Sequence, residues 1–133
     1  MSQGFQIARN DGAVELFNGT ATAGETTLAA QTTQVAAASR LTSGVNRVIP
    51  IAGSTAVLLP KDQSIGSPIV VGNYAATAVA LLVFPPWNDT TNAASGGKIQ
   101  NAAANASFSI AQGKTATFYP LPNGVDYVAV LSA

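Results

Sequence analysis

The sequence predicts an all-β protein: a single-domain antiparallel β-sandwich, jelly-roll-like, with an N-terminal arm. Three observations carry that expectation. Short apolar or alternating runs recur along the chain, and turn signals separate them about every ten residues. No helical stripe of bulky apolar side chains interrupts the pattern. With 133 residues the chain has the size of one domain and enough length to bury a core without covalent staples. Residues 1–20 read as the arm or an edge hairpin, and residues 21–133 as the sandwich, with no internal repeat and no second domain.

The elements follow in order. Asn10-Asp11-Gly12 and Asn18-Gly19 favour positive φ and mark turns, with Ala13-Val14-Glu15-Leu16-Phe17 as a short strand between them. Residues 21–39 are ambiguous, because alanines and Glu25 suit a helix while Thr26, Thr27, Thr32, Thr33 and Val35 favour extended chain; the absence of a bulky stripe tips the balance to strand. Val45-Asn46-Arg47-Val48-Ile49-Pro50-Ile51 is a strand, and Gly53-Ser54 a turn. Ala56-Val57-Leu58-Leu59 is a strand stopped by Pro60. A polar loop follows, with Ile65 turned inward. Pro68-Ile69-Val70-Val71 is a strand ended by Gly72-Asn73. Residues 78–84 form the clearest core strand, closed by Pro85-Pro86, which cannot donate to a ladder. Residues 87–97 read as a loop. Lys98-Ile99 opens a further element, Ser107-Phe108-Ser109-Ile110 alternates with period two, and Gln112-Gly113 and Asn123-Gly124 are turns. They bracket Thr115-Ala116-Thr117-Phe118-Tyr119 and introduce the closing strand Tyr127-Val128-Ala129-Val130-Leu131.

Composition narrows the chemistry. Histidine and cysteine are absent, which excludes Ser-His-Asp and Cys-His catalysis, disulfides and Cys-based zinc sites. No Walker motif or acidic calcium loop occurs. The six acids are scattered singly beside turns and loops, as solvated caps are. No catalytic residue, metal site or cofactor is therefore expected. Only 9% of residues are charged, against roughly 25% in ordinary domains. Six acids balance six bases, so there is little field to attract nucleic acid or an anionic membrane. The most apolar stretch, residues 75–84, is about half the roughly 20 residues a bilayer span needs. No targeting segment is recognisable at Met1-Ser2-Gln3-Gly4, so the chain is expected to be made in a cytoplasm. Three matches to the glycosylation sequon, at Asn18, Asn88 and Asn105, read as chance in that setting.

With 47% hydrophobic residues and so few charges, the surface suits burial against other subunits. The candidate interface residues are Phe5, Ile7, Arg9, Leu16 and Phe17 in the arm, with Arg40, Arg47 and Trp87 in the body. Trp87 has two readings: a plug beneath its own loop, or an anchor at an interface, where tryptophan concentrates binding energy.

From about Gln34 onward the order of strands and turns resembles the small β-domains of tailed-phage virions, in particular head decoration (cement) proteins. The residues that carry the resemblance are Leu41-Thr42-Ser43-Gly44-Val45-Asn46-Arg47-Val48, Ala52-Gly53-Ser54 leading into Val57-Leu58-Leu59-Pro60, and Gly66-Ser67-Pro68-Ile69-Val70-Val71. The Asn73 turn, residues 78–84 with their Pro-Pro stop, Ile99-Gln100-Asn101-Ala102-Ala103 preceding Ser107-Phe108-Ser109-Ile110, and Gln112-Gly113-Lys114-Thr115-Ala116-Thr117-Phe118-Tyr119 complete it. Pro85-Pro86-Trp87 departs from the pattern. The resemblance implies a virion structural protein on the capsid surface, a homotrimer whose partners are itself and the major capsid protein, with no enzymatic activity. The alternative it leaves open is a tail or head fibre component that binds a host receptor or glycan, with Trp87, Tyr74 and Tyr119 as stacking platforms.

Overall fold

The computed structural model describes residues 23–26, 28–63, 65 and 67–133. The expected arm, the Ala13-to-Phe17 strand and the candidates Phe5, Ile7, Arg9, Leu16 and Phe17 lie outside them. The described residues form eleven β-strands and no helix, so the protein is all-β.

The β-branched and apolar runs become strands where turn residues bracket them. The strands are β1 (Ala23–Thr26), β2 (Ser39–Arg40), β3 (Val45–Val48), β4 (Ala56–Leu58), β5 (Ile69–Asn73) and β6 (Leu81–Phe84). They continue as β7 (Trp87–Asn88), β8 (Ala93–Ala94), β9 (Phe108–Ile110), β10 (Thr115–Pro120) and β11 (Tyr127–Leu131). Gly53, Gly113 and Gly124 take positive φ at three of the turns read from sequence.

Three sheets result, with strand orders β1-β3-β5-β10-β11, β2-β4-β6-β9 and β7-β8. The uniformly antiparallel pairing expected from the sequence gives way to a mixed one. β1, β3 and β5 run parallel, as do β2, β4 and β6. β9, β10 and β11 add antiparallel. The reason is the route of the chain: from β1 to β6 each strand joins the sheet its predecessor did not. A parallel neighbour needs a long crossover, and here a strand of the opposite sheet supplies it. Ala23, Val45 and Val70 consequently stand in one row across three parallel strands.

The two larger sheets share one core. Val48, Val71, Phe118 and Tyr127 of the five-stranded sheet cluster with Val57, Leu81, Val83 and Ile110 of the four-stranded one. Phe108 and Phe118 meet edge to face at 5.4 Å across the two sheets, a geometry that favours the ring quadrupoles. Strand β4 is buried on both sides, because Ala56 and Leu58 enter a second cluster with Ala38 and Phe84.

Four further expectations are revised. Strand β5 does not end at Gly72-Asn73 but runs through them, pairing Gly72 with Arg47 and Asn73 with Val48. The strand expected over residues 78–84 begins only at Leu81, because the Val79 carbonyl is taken by the Asn73 side chain. Ile65 is 68% exposed rather than turned inward. The loop 87–97 contains the β7–β8 hairpin, turned at Asn88, whose Oδ1 accepts from the Thr90 and Thr91 amides. Residues 98–100 occupy the outer edge of β11. Tyr127 N–H donates to the Lys98 carbonyl, Gln100 N–H to the Tyr127 carbonyl, and Ala129 N–H to Gln100 Oε1.

Candidate functional site

The structure separates the three body residues singled out in the sequence. Arg40 and Trp87 share the outer side of the four-stranded sheet, whereas Arg47 lies on the outer side of the five-stranded one. Pro85 and Pro86, both buried, stop β6 and redirect the chain so that Trp87 folds back onto the second cluster beside Val35 and Leu82. Gln34 braces that return, its Nε2 donating to the carbonyls of Pro85 (2.9 Å) and Pro86 (3.3 Å). The Trp87 indole N–H is buried without a hydrogen-bond partner, a state that costs about 1–3 kcal/mol for such a group.

Beside the indole, Arg40 at the end of β2 holds Asp89 in a fork. Nη1 reaches Oδ2 at 2.6 Å and Nη2 reaches Oδ1 at 3.0 Å, while Nη2 also donates to the Ala36 carbonyl at 3.2 Å. The hydrogen bonds from Arg40 hold the Asp89 carboxyl below its ordinary value. Arg40, Trp87 and Asp89 line a cleft of about 280 Å³ whose floor is Leu58 and Leu59.

On the other sheet, the Arg47 guanidinium stands 4.8 Å from the centre of the Tyr74 ring. That ring lies over Gly72, where a Cβ would fall 2.7 Å from Tyr74 Cε1. Glycine here is what lets the tyrosine lie down. Tyr74 also edges a groove of about 450 Å³ shared with Gln112, Lys114 and Thr115. The three aromatics proposed as stacking platforms do not converge: Trp87 sits on one sheet, Tyr74 is engaged by Arg47, and Tyr119 projects from β10 four residues beyond Thr115.

Each described aspartate has a local partner. Asp89 binds Arg40, Asp62 pairs with Lys61 at 2.7 Å, and Asp126 Oδ1 accepts the Lys98 N–H at 2.8 Å. Among the described residues no three His, Cys, Asp or Glu side chains gather where they would hold a metal ion. Among the described residues there is no helix long and apolar enough to cross a membrane.

Sequence reasoning missed a surface. The outward positions of β3, β5, β10 and β11 carry Val45, Val70, Thr117, Tyr119, Val128 and Val130. Its signal was present in Tyr127-Val128-Ala129-Val130-Leu131, which is apolar at every position and therefore on both faces of a strand. No family model, curated protein or solved structure matches this chain.

Proposed function

We propose that this chain is a virion structural protein, a capsid decoration or cement protein that binds and stabilises a phage head lattice as an oligomer. The observation that carries the reading is the combination of an exposed, largely apolar sheet surface with described aspartates that are each occupied by a neighbour. That surface is equipped for contact rather than for proton transfer. The sequence resemblance supplies the setting: the capsid surface, with the chain itself and the major capsid protein as partners and a homotrimer as the working unit. The two larger sheets are read as the layers of a β-sandwich around their shared core. Their parallel pairs set it apart from the antiparallel strand order of a jelly roll.

The proposed role is mechanical. Subunits bridge neighbouring capsomers, and the high effective concentration on a lattice multiplies contacts that are individually modest. Residues 1–20 are the proposed arm that reaches a neighbouring subunit. The test is addition of purified protein to undecorated capsids, read by imaging, with a variant lacking residues 1–20 beside it. The full chain should appear at regular surface positions, and the shortened chain should remain an oligomer but leave the capsids bare. Binding at the tail alone, or to host cells in place of capsids, rejects the reading in favour of a receptor-binding fibre component.

A further inference from the structure

We propose that Asn123 is a covalent modification site of this chain, where the fold holds off conversion to aspartate or isoaspartate until the β10–β11 turn opens. Asn123-Gly124 lies between the two strands, with Asn123 exposed and Gly124 buried. An asparagine side chain is open to attack by the backbone nitrogen of the residue that follows it. Glycine, with no Cβ, leaves that approach unhindered. Gly124 N loses its proton and bonds to Asn123 Cγ, and the side-chain nitrogen leaves as ammonia. Water then opens the resulting succinimide at either carbonyl. One opening gives aspartate; the other gives isoaspartate, in which the main chain runs through Cβ and Cγ. Water is the only co-reactant. The proposal is independent of the decoration reading.

The turn restrains both reacting atoms. Asn123 Oδ1 accepts the Asp126 N–H at 2.9 Å and the Val125 N–H at 3.2 Å, which pins the carboxamide. Gly124 N–H donates to the Leu121 carbonyl at 3.2 Å, and Leu121 N–H donates to the Asp126 carbonyl at 3.0 Å, closing the turn around them. The Gly124 carbonyl in turn accepts the Asp62 N–H at 2.8 Å. Ring closure needs Asn123 Cγ to swing onto Gly124 N, and these bonds oppose that rotation. The reactive geometry therefore waits on local opening of the turn.

The two products part ways in the same corner. Aspartate keeps an Oδ1 where Asn123 has one, so the Val125 and Asp126 amides retain their acceptor and the turn can close again. Isoaspartate lengthens the main chain by one carbon beside a glycine that has no room to move towards Asp62. A Cβ on Gly124 would stand 2.2 Å from Asp62 Oδ1 and 3.4 Å from Asp62 Cα. Lys61 holds that carboxylate at 2.7 Å, and the Asp62 amide is tied to the Gly124 carbonyl. The added carbon displaces Gly124 from Asp62 and takes the acceptor away from the Val125 and Asp126 amides. The isoaspartate chain stays open, and the change runs one way.

Trypsin gives a direct readout, because residues 115–133 follow Lys114 with no further Lys or Arg and hold Asn123 as their only amide side chain. The full chain is aged at mildly alkaline pH, folded and in denaturing guanidinium chloride, and that peptide is followed by mass spectrometry with fragmentation to tell aspartate from isoaspartate. The denatured chain should convert at least about tenfold faster than the folded one. Its rate should rise with pH, because the attacking nitrogen must first lose its proton. Equal rates, a peptide left unmodified in the denatured chain, or conversion indifferent to pH overturns the proposal. Hydrogen exchange of the folded, aged chain, read on C-terminal peptides that carry the modification, separates the products. The Val125 and Asp126 amides should stay protected beside aspartate and exchange rapidly beside isoaspartate. Asn123→Asp, which carries the first product from synthesis, should protect the same two amides. Protection beside isoaspartate, or its loss in Asn123→Asp, overturns the one-way assignment.

Discussion

The side-chain amide of Asn73 donates a 2.8 Å hydrogen bond to the carbonyl of Ile110, tying the end of β5 in one sheet to the end of β9 in the other. The same nitrogen donates to the Val79 carbonyl at 2.9 Å, and Asn73 Oδ1 accepts the Ala75 N–H at 2.9 Å. A buried amide thus makes hydrogen bonds to three backbone groups of three different segments. Asn73→Ala should cost about 2–4 kcal/mol, because two carbonyls and an amide lose their partner out of reach of water. Asn73→Asp should cost at least as much, since a carboxylate cannot donate to either carbonyl. Urea unfolding followed by the fluorescence of the single tryptophan measures both, and a loss below about 1 kcal/mol contradicts the assignment.

Trp87 contributes packing, and its N–H detracts from that. Trp87→Ala should destabilise by about 2–4 kcal/mol, because it removes the ring that covers Phe84 and Leu58. Trp87→Phe keeps an aromatic ring there and removes the orphaned donor, so it should fall within about 1 kcal/mol of wild type. Circular-dichroism melts of the two variants make the comparison. Equal losses would mean that the indole N–H has a partner after all.

These two residues show what the sequence could reveal. Strands β10 and β11 were legible nearly to the residue, because the Gln112-Gly113 and Asn123-Gly124 turns fix their ends and their inward positions alternate. Pairing direction was not legible. A turn every ten residues serves a hairpin and a crossover to the opposite sheet equally well, and which one forms depends on the sheet the next strand joins. Ile65 was misread because a lone apolar residue among polar neighbours has no periodicity to set its side. For the candidate site, residue types were legible and partners were not. Arg40 meets Asp89 across 49 residues, and Trp87 meets its cluster only because the Pro-Pro stop turns the chain back.

The Arg40–Asp89 fork carries a pH signature. Folding lowers the Asp89 carboxyl below its ordinary 3.8, chiefly through the hydrogen bonds from Arg40. The folded state therefore binds fewer protons than the unfolded chain near that pH. Any stability the pair contributes is present above the ordinary aspartate value and disappears as pH falls through the lowered one. The pair is exposed, so its contribution should be small and should shrink with salt. Carboxyl carbon NMR should show Asp89 titrating below the ordinary value in the wild type and returning towards it in Arg40→Gln. An unchanged titration in the variant would assign the shift to another cause.

Tyr127 gives the opposite dependence at alkaline pH. Its side chain is 1% exposed, and its hydroxyl donates to the Pro60 carbonyl. Burial, with a smaller effect of the Asp62 charge, raises the phenol well above its ordinary 10.0. In the unfolded chain the phenol loses its proton at the ordinary value, whereas the folded one holds it. Stability should therefore be complete below about pH 10 and fall as pH rises past it. Tyr127→Phe should remove this part of the alkaline slope, at a cost of about 1 kcal/mol at neutral pH for the lost hydrogen bond. Urea midpoints measured from pH 8 to pH 11, with absorbance of the phenolate as a second readout, test both halves. A Phe variant with the wild-type slope would show that Tyr127 is not the source of the alkaline loss.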